Sequence, residues 1–292
     1  MTEPVALVTG ASSGIGEATA RRLHELGYRV YAAARRLDRM SGLAELGVVT
    51  VSTDLTDDAS MVALVDRIVA DTGRIDVLVN NAGYGSYGSL EEVPLAEARR
   101  QVEVNVFALA RLTQLVLPHM RERRSGTIVN VSSMGGKFGE PLGAWYHATK
   151  FAVEGLSDSI RIELAPLGID VVVIEPGAIR TEWGGIAAAS VLERSGDGPY
   201  AEQARRTARV LAAGEHQGSS PDVVAHAIGR AVTAKRPRTR YAVGSGATPV
   251  LLAAWLLPDR IMDRVIGGFY RVAARFTPEP PAPRTHELTT AI

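Results

Sequence analysis

The first sixteen residues constrain the fold more than any other stretch of the chain. Val5 to Thr9 is a short apolar run that predicts a buried strand. Glycines follow at positions 10, 14 and 16, and apolar residues then recur at helical spacing. A strand, a glycine-rich turn and a helix start form a cradle for phosphate, because glycine permits close approach and the helix N-terminus offers free N–H groups. We therefore expect a nucleotide-phosphate site at this turn.

The same turn has a second interpretation, the nucleophile elbow of hydrolases. Residues 10–14 also fit G-x-S-x-G, with Ser12 as the nucleophile. Such an elbow follows several strands and an oxyanion loop, whereas only nine residues precede Gly10. The phosphate cradle is therefore preferred, and a serine hydrolase using Ser12 and an ordinary glycine-rich turn are the alternatives.

The rest of the chain continues the alternation of strand and helix. This alternation predicts an α/β fold with a single doubly wound parallel sheet of the Rossmann type and helices on both faces. The 292 residues are 46% hydrophobic but only 5% aromatic, which suits the aliphatic core of such a sheet. Further strands are predicted at residues 28–34, 48–51, 75–79, 127–131, 169–174 and 241–243.

Two internal segments depart from the plain alternation. One long helix is predicted from about Leu95 to Arg123. Residues 178–220 are rich in Ala, Gly and Arg and are predicted to be irregular, as in a mobile lid over a site.

A helical extension is predicted at residues 246–276, after a Rossmann-type domain at residues 1–245. An apolar run ends at Pro258, and a helix pattern follows with apolar residues on one face and arginines elsewhere. Such a helix either covers a pocket, contacts another subunit or lies on a membrane surface. Residues 277–292, which contain four prolines, are predicted to be disordered.

Charge and cysteine content argue against several classes of protein. Basic and acidic residues number 32 each, and this net charge of +0 argues against a nucleic-acid partner. The absence of cysteine excludes disulfides and thiolate metal sites, and the six histidines show no metal-ligand spacing, so no metal is expected. With no signal peptide and no apolar run near the roughly 18 residues of a membrane span, we expect a cytoplasmic protein.

Polar and glycine residues follow several strands, which is where doubly wound sheets bind ligands. The second strand ends at Arg35 and Arg36, whose guanidinium groups suit the 2′-phosphate of NADP better than the 2′-hydroxyl of NAD. Asn105 lies among apolar neighbours in the long helix. A buried Asn needs hydrogen-bond partners, so Asn105 is either a structural bridge or part of a proton path.

Tyr146 and Lys150 lie four residues apart, on one face of a predicted helix. A phenol has a pKa near about 10, too high for efficient proton transfer at neutral pH. A neighbouring ammonium favours the phenolate and lowers that pKa. The pair is a candidate proton donor and acceptor, although a core tyrosine beside a solvated lysine has the same spacing.

In their order and spacing, six motifs resemble those of the classical short-chain dehydrogenases/reductases. They are Thr9-Gly10-x3-Gly14-x-Gly16, Asn80-Asn81-Ala82-Gly83, Asn105, Ser133, Tyr146-x3-Lys150 and Pro176-Gly177. The resemblance covers about residues 4–245 and implies an NADP(H)-dependent oxidoreductase. The tail and the loop at residues 84–90 are similar to those of members acting on hydrophobic substrates, such as hydroxysteroid and retinol dehydrogenase-like enzymes.

The resemblance also implies roles for individual residues. Tyr146 would pass a proton to or from the substrate oxygen, and Ser133, in preference to Ser132, would hold that oxygen. Lys150 would lower the pKa of Tyr146 and bind the nicotinamide ribose, and Asn105 would anchor a water in a proton relay. The cofactor would contact Gly10, Ser12, Ser13, Gly14, Ile15, Gly16, Arg35, Arg36, Asp54, Leu55, Asn81, Ala82, Gly83, Tyr146, Lys150, Pro176, Gly177, Ile179 and Thr181.

The predicted function is hydride transfer between NADP(H) and a carbonyl or secondary alcohol of a hydrophobic substrate, as in carbonyl reductases and alcohol dehydrogenases. Candidate pocket walls, which ordinary core packing would also explain, are Met134, Phe138, Leu142 and Trp183. A homodimer or homotetramer is expected, with membrane contact by the C-terminal helix as a further partner interaction. A non-catalytic NADP(H)-sensing protein on the same fold is the alternative function.

Overall fold

A computed structural model describes residues 3–277, apart from the side chain of Glu215. Seven parallel strands form one sheet in the order β3-β2-β1-β4-β5-β6-β7. The strands are β1 (Val5–Thr9), β2 (Arg29–Ala34), β3 (Val49–Ser52), β4 (Val77–Asn80), β5 (Gly126–Val131), β6 (Ile169–Pro176) and β7 (Arg240–Val243). The predicted strands are confirmed to within two residues at each end.

Eleven α-helices accompany the sheet in the described part of the chain. They are α1 (Gly14–Glu25), α2 (Ser41–Glu45), α3 (Asp58–Thr72), α4 (Leu95–Val102), α5 (Ala108–Arg123), α6 (Ala144–Leu164), α7 (Trp183–Ser195), α8 (Ala201–Gln217), α9 (Pro221–Thr233), α10 (Ala247–Leu256) and α11 (Asp259–Ala273). The tail predicted to be disordered lies, from residue 278, outside the described residues. Between residues 3 and 277, no helix is both long and apolar enough to cross a bilayer.

The doubly wound sheet predicted from the sequence is confirmed. Successive side chains of a strand point to opposite faces. In β1, Ala6 and Val8 pack with one core cluster, which contains Leu23 of α1 and Ile228 of α9. Leu7 packs with the other cluster, which includes side chains of α3 and α5. Both faces of the sheet are therefore buried, as in parallel sheets generally.

The strand order reverses between β1 and β4. The chain winds from β1 outward to β3 and then returns to place β4 against the other side of β1. In doubly wound sheets, ligands bind outside the carboxyl ends of the strands at this reversal. The glycine-rich turn after β1 and the segment after β4 therefore meet at the edge where a ligand is expected.

The predicted long helix is interrupted, which corrects the sequence interpretation. A π-helical segment, Glu103–Phe107, lies between α4 and α5. Its central residue, Asn105, is buried and hydrogen-bonds to backbone and side-chain groups outside its own helix. Both α4 and α5 keep ordinary helical spacing, so the periodicity of the sequence did not reveal the interruption.

The segment predicted to be an irregular lid is instead largely helical. It forms α7 and α8, which pack against each other over most of their length. The facing residues are small, for example Ala188 on α7 and Ala208 on α8, and both are fully buried. Small residues contribute little to a hydrophobic pattern, so the buried stripe was not recognised.

Candidate active site

The glycine-rich turn has a backbone that only glycine accommodates without strain. Gly10 and Gly14 have φ angles of 65° and 57°, in the left-handed region. A Cβ atom on Gly16 would lie 2.2 Å from the carbonyl oxygen of Gly10. Helix α1 begins at Gly14, so its free N–H groups and the positive end of its dipole lie at the turn.

A cavity of about 680 Å³ lies beside this turn. Its walls are mainly polar and come from the turn, from α1, and from the segment after β6. The glycine cradle, the helix N-terminus and nearby cations suit the phosphates of a dinucleotide. The lining residues include Ser12, Ser13, Gly14, Arg39, Thr181 and Glu182.

Of the two arginines after β2, Arg36 contacts the glycine-rich turn. The guanidinium of Arg36 lies 3.5 Å from the hydroxyl of Ser12, and Arg36 is half-buried whereas Arg35 is exposed. Burial, together with the neighbouring charge of Arg39, lowers the pKa of Arg36. Ser12 thus contacts a cation that cannot serve as a general base, which favours a phosphate site over the nucleophile elbow.

Arg39 and Glu182 join across the cavity and were not singled out from the sequence. Two hydrogen bonds of 2.8 and 2.6 Å connect the guanidinium and the carboxylate. The two residues are 143 positions apart, so sequence spacing offered no indication of this contact.

The segment after β4 is attached directly to the glycine-rich turn. The Asn81 side chain donates to the backbone oxygens of Thr9 and Gly10 at 2.9 and 3.3 Å. The backbone N–H of Ala82 donates to the Thr9 hydroxyl at 3.1 Å. Asn81 therefore holds the two strand ends together at the predicted cofactor site.

The side-chain amide of Asn105 forms hydrogen bonds through both its oxygen and its nitrogen. Its oxygen accepts the N–H of Tyr84 at 3.0 Å, while its nitrogen donates to the Tyr84 carbonyl at 2.9 Å and to the Thr149 hydroxyl at 3.0 Å. A Cβ on Gly83 would meet the Asn105 oxygen at 3.1 Å and the Lys150 Nζ at 3.9 Å. These contacts fix Asn105 between the loop after β4 and α6, beside Lys150.

Ser133, Tyr146 and Lys150 come together at the carboxyl end of β5. The Ser133 hydroxyl lies close enough to Tyr146 to lower its pKa, and the Ser133 oxygen accepts the N–H of Gly135 at 3.0 Å. Lys150 Nζ donates to the carbonyl of Val131 at 3.0 Å and lies 5.8 Å from the centre of the Tyr146 ring. Ser132 is buried and makes no side-chain hydrogen bond within the described residues.

The pKa values of the tyrosine and the lysine shift in opposite directions. Burial raises the pKa of Tyr146, an effect that the hydrogen bond from Ser133 opposes and the charge of Glu140 reinforces. Burial also lowers the pKa of Lys150 to about 8, against the charge of Glu154. The expected lowering of the Tyr146 pKa by Lys150 is not observed, and burial sets the direction of the shift.

Aromatic side chains surround the Tyr146 ring. Trp183 lies 5.0 Å and Tyr87 lies 5.6 Å away between ring centres, and Trp183 and Tyr87 are 6.0 Å from each other. A Cβ on Gly85 would lie 2.5 Å from the Trp183 ring, so glycine is required there for this packing. Tyr87 belongs to the loop at residues 84–90, which resembles that of family members acting on hydrophobic substrates.

The other residues predicted to line the substrate pocket differ in how close they lie to Tyr146. Leu142 packs in the same cluster as Tyr146 and has a φ of 61°, a left-handed conformation that is uncommon for leucine. Phe138 is buried 6.0 Å from the ring of His147, which itself lies 5.5 Å from Tyr146. Met134 is half-buried next to Ser133.

Helix α11 reaches the same wall and supplies a residue absent from the sequence prediction. Tyr270 is buried, and burial together with the nearby Glu140 carboxylate raises its pKa, while Tyr87 hydrogen-bonds to the same carboxylate at 3.3 Å. The C-terminal helix therefore covers this side of the site. Neither Glu140 nor Tyr270 stood out in the sequence, because nothing local indicated that residues 130 positions apart would meet.

The remaining residues predicted to contact the cofactor lie partly at the glycine-rich turn and partly in the core. Thr181 packs against the glycine turn, since a Cβ on Gly14 would lie 2.8 Å from its methyl group. Position 177 requires glycine, because a Cβ atom there would lie 2.1 Å from the backbone oxygen of Ser245. Pro176 ends β6 and Ile179 is buried in the core. Asp54 hydrogen-bonds to Thr56, and Leu55 packs with the core beyond β3.

Comparison with known proteins gives a consistent match. The family model for short chain dehydrogenases matches residues 4–189. A 3-ketodihydrosphingosine reductase of Bacteroides thetaiotaomicron is 36% identical, over 93% of this chain and 100% of its own. An NADPH-dependent 3-dehydrocapnine reductase of Ornithobacterium rhinotracheale is 34% identical, over 94% of this chain and 99% of its own.

Solved structures are similar over most of the chain. A short-chain dehydrogenase from Streptomyces avermitilis is 33% identical, with a TM-score of 0.76 over 93% of this chain and 97% of its own. Several other similar structures hold NADP or NADPH, and one holds NADH.

Proposed function

The chain belongs to the short-chain dehydrogenase family, and from this we propose that it is an NADP(H)-dependent reductase of a hydrophobic ketone, acting reversibly on the corresponding secondary alcohol. The observation that carries the proposal is the meeting of Ser133, Tyr146 and Lys150 beside the glycine-rich turn. A proton donor, a hydrogen-bonding hydroxyl and a buried cation are what reduction of a carbonyl requires from the protein.

NADP(H) is the cofactor, and the cavity beside the glycine-rich turn would hold it. The turn and the N-terminus of α1 would bind the pyrophosphate, and Arg36 and Arg35 would meet the 2′-phosphate. The segment from Pro176 to Thr181 would border the nicotinamide. When bound, the reduced nicotinamide supplies the hydride that the carbonyl carbon receives.

Tyr146 is the proposed proton donor in reduction. Its raised pKa keeps the hydroxyl protonated at neutral pH, which is the form required for donation to the carbonyl oxygen. The Ser133 hydroxyl, which lies close to Tyr146, has a single hydrogen and would donate it to that oxygen when the substrate is bound. In the oxidative direction Tyr146 would accept the proton of the alcohol.

Lys150 would stabilise negative charge that develops on the oxygen and on Tyr146. Its ammonium is buried in a medium of low dielectric constant, where a charge acts strongly on its neighbours. The same burial lowers its pKa to about 8, so the positive charge is retained at neutral pH but not far above it.

The substrate is proposed to be a ketone with an apolar body. Tyr87, Trp183, Leu142 and Phe138 give the site a largely aromatic and aliphatic wall. Both relatives described above are named as reductases of 3-keto or 3-dehydro compounds. These names support a ketone as the reduced group without identifying the rest of the molecule.

Two further interactions are proposed. Exposed apolar side chains, including Phe107 just before α5 and Phe151 and Ile162 on α6, support a homodimer or homotetramer. The outer face of α11, which is apolar and flanked by arginines, supports contact with an anionic membrane surface. The cytoplasm is proposed as the compartment, with the membrane contact on that side.

The first test is cofactor binding followed by turnover. NADPH and NADH are titrated by fluorescence, and a series of apolar ketones is then assayed with the tighter cofactor. We expect NADPH to bind more tightly and apolar ketones to be reduced. Binding without turnover would favour the sensing protein instead, and a lack of binding by either cofactor would contradict the cofactor site.

A further inference from the structure

We propose that the substrate carries an ammonium group next to its ketone, and that the Glu140 carboxylate binds this ammonium. The inference rests on the proposed reductase function and specifies the substrate class of the same site. It follows from the surroundings of Glu140, which was not among the residues predicted from the sequence.

Glu140 lies beside two phenols. Tyr87 donates its hydroxyl hydrogen to Oε2 at 3.3 Å, and the pKa of Tyr270 on α11 is raised by burial and by the nearby Glu140 carboxylate. The Glu140 side chain is only 16% exposed. A carboxylate so enclosed keeps a defined position, but hydrogen bonds from neutral phenols do not neutralise its charge.

His147 is the side chain beside Glu140 that could carry a positive charge, but its hydrogen bonds are those of a neutral ring. Its Nε2 lies 3.5 Å from the carboxylate but accepts the backbone N–H of Glu140 at 3.1 Å. Its Nδ1 therefore carries the ring hydrogen, which it donates to the carbonyl of Gly135 at 2.8 Å. A ring with one donor and one acceptor nitrogen has no net charge.

Between residues 3 and 277, no lysine or arginine forms an ion pair with Glu140. Enclosed carboxylates are normally paired with a cation. Other enclosed acids in this protein follow that rule, as Glu154 does with Lys137 and Arg240. The missing cation at Glu140 is therefore assigned to the substrate.

The aromatic rings beside Glu140 favour the same ligand. Tyr87, Tyr146 and Trp183 lie within 6.0 Å of one another. The faces of such rings attract ammonium groups, and the attraction is stronger where water is excluded. An ammonium held by Glu140 would enter an aromatic surrounding, because Tyr87 contacts the carboxylate through its hydroxyl.

The position of Glu140 places this ammonium close to the reacting carbonyl. The Tyr87 ring contacts both Glu140, through its hydroxyl, and Tyr146, at 5.6 Å between ring centres. The charge of Glu140 is also felt at Tyr146, where it raises the pKa of the phenol. An amino group on the carbon next to the ketone would reach the carboxylate while the ketone oxygen contacts Tyr146.

The test compares two ketones that differ only at this group. One is a long-chain α-aminoketone, and the other is its isostere with a methyl group in place of the ammonium. We expect the wild-type enzyme to favour the aminoketone in kcat/KM by roughly 10- to 100-fold, the range of one charge-assisted hydrogen bond. Glu140→Gln should bring this ratio close to one.

Two controls separate binding by Glu140 from a general structural effect. Glu163→Gln removes a carboxylate from the exposed surface of α6 and should leave the ratio unchanged. In the wild type, the preference should also disappear as the pH rises through the pKa of the substrate amine, since only the ammonium is attracted. This second readout needs no variant and remains valid if Glu140→Gln folds poorly.

Equal kcat/KM for the two ketones, or a ratio that Glu140→Gln leaves unchanged, would overturn the assignment while the reductase function stood. A wild-type enzyme that binds NADPH but reduces neither ketone would overturn the proposed function and this inference with it. Reduction of the aminoketone alone, with loss of the preference in Glu140→Gln, would establish both.

Discussion

Burial governs the protonation of the two candidate catalytic groups at the scale of single residues. Tyr146 and Lys150 are each only 7% exposed, and burial disfavours the charged form of both. The phenol therefore stays neutral to higher pH and the amine becomes neutral at lower pH than in water. A neutral phenol beside a charged ammonium is the combination that reduction needs, and it exists below about pH 8.

The pH dependence of the reaction follows from the directions of the Tyr146 and Lys150 pKa shifts. As the pH rises through about 8, Lys150 loses its charge and the developing oxyanion loses a stabilising cation. We expect kcat/KM for ketone reduction to fall above about pH 8, and oxidation of the alcohol to gain relative to reduction. Initial rates in both directions across the pH range test this, and a reduction rate independent of pH would contradict it.

Replacing the proton donor tests its role directly. Tyr146→Phe should lower kcat for ketone reduction by roughly 10²- to 10⁴-fold, the usual contribution of a positioned acid. NADPH affinity should change little, because the ring is retained. Tyr28→Phe is the control and should keep full activity. Tyr28 lies just before β2, at the amino ends of the strands, whereas the active site lies at their carboxyl ends. Full activity in Tyr146→Phe would mean that another group supplies the proton.

Arg36 is the residue on which the preference for NADPH depends. Arg36→Asp replaces a half-buried cation beside Ser12 with an anion that repels the 2′-phosphate. We expect NADPH affinity to fall roughly 10- to 100-fold and NADH affinity to change far less. Arg121→Asp, an exposed substitution on α5, should alter neither. An unchanged NADPH-to-NADH ratio would exclude Arg36 from phosphate binding.

At the scale of secondary-structure elements, α7 and α8 form a packed helical pair beside the active site. Their contact is made by alanines, and Trp183 at the start of α7 packs on Tyr146. The pair therefore supports the substrate wall as a fixed surface. A helix pair joined by small residues has little room for larger side chains.

Enlarging a residue inside this contact tests the helical pair. Ala208→Leu introduces a larger side chain at a fully buried position of α8 and should destabilise the protein by about 1–3 kcal/mol. Arg205→Leu, at an exposed position of the same helix, should have a much smaller effect. Urea unfolding of both variants compares them, and equal stabilities would argue for an irregular segment instead.

For the whole molecule, α11 links the active site to the outer surface. Its inner face buries Met262 and Tyr270, the latter against Glu140. A second face exposes large apolar side chains, among them Val265 and Phe269, which are 48% and 56% exposed. Arg264 and Arg271 lie beside that face. Antiparallel pairing with a second copy would bring the arginine rows together, whereas an anionic bilayer complements them.

Vesicle sedimentation tests this surface. The full-length protein should sediment with phosphatidylcholine vesicles containing phosphatidylglycerol, and less with phosphatidylcholine alone. Phe269→Glu should abolish sedimentation, while Ile162→Glu, at a 72% exposed position on α6, should not. If Phe269→Glu instead dissociated an oligomer without affecting sedimentation, the surface would be a subunit contact.

Much of the fold and part of the candidate site were predictable from local patterns. Apolar runs predicted the seven strands to within two residues, and the glycines at positions 10, 14 and 16 predicted a turn of close backbone approach, where Gly10 and Gly14 adopt positive φ. The four-residue spacing of Tyr146 and Lys150 places both on one side of α6. Each of these properties depends on a short stretch of chain, so the sequence by itself determined them.

Only the tertiary structure decided what surrounds those residues. The contacts of Arg39 with Glu182 and of Glu140 with Tyr270 join residues more than a hundred positions apart. The π-helical turn at Asn105 and the direction of the Tyr146 pKa likewise depend on packing and burial. Burial is a property of the assembled core, so local pattern determined the sheet and the order of its motifs, whereas packing determined the charge state and the walls of the site.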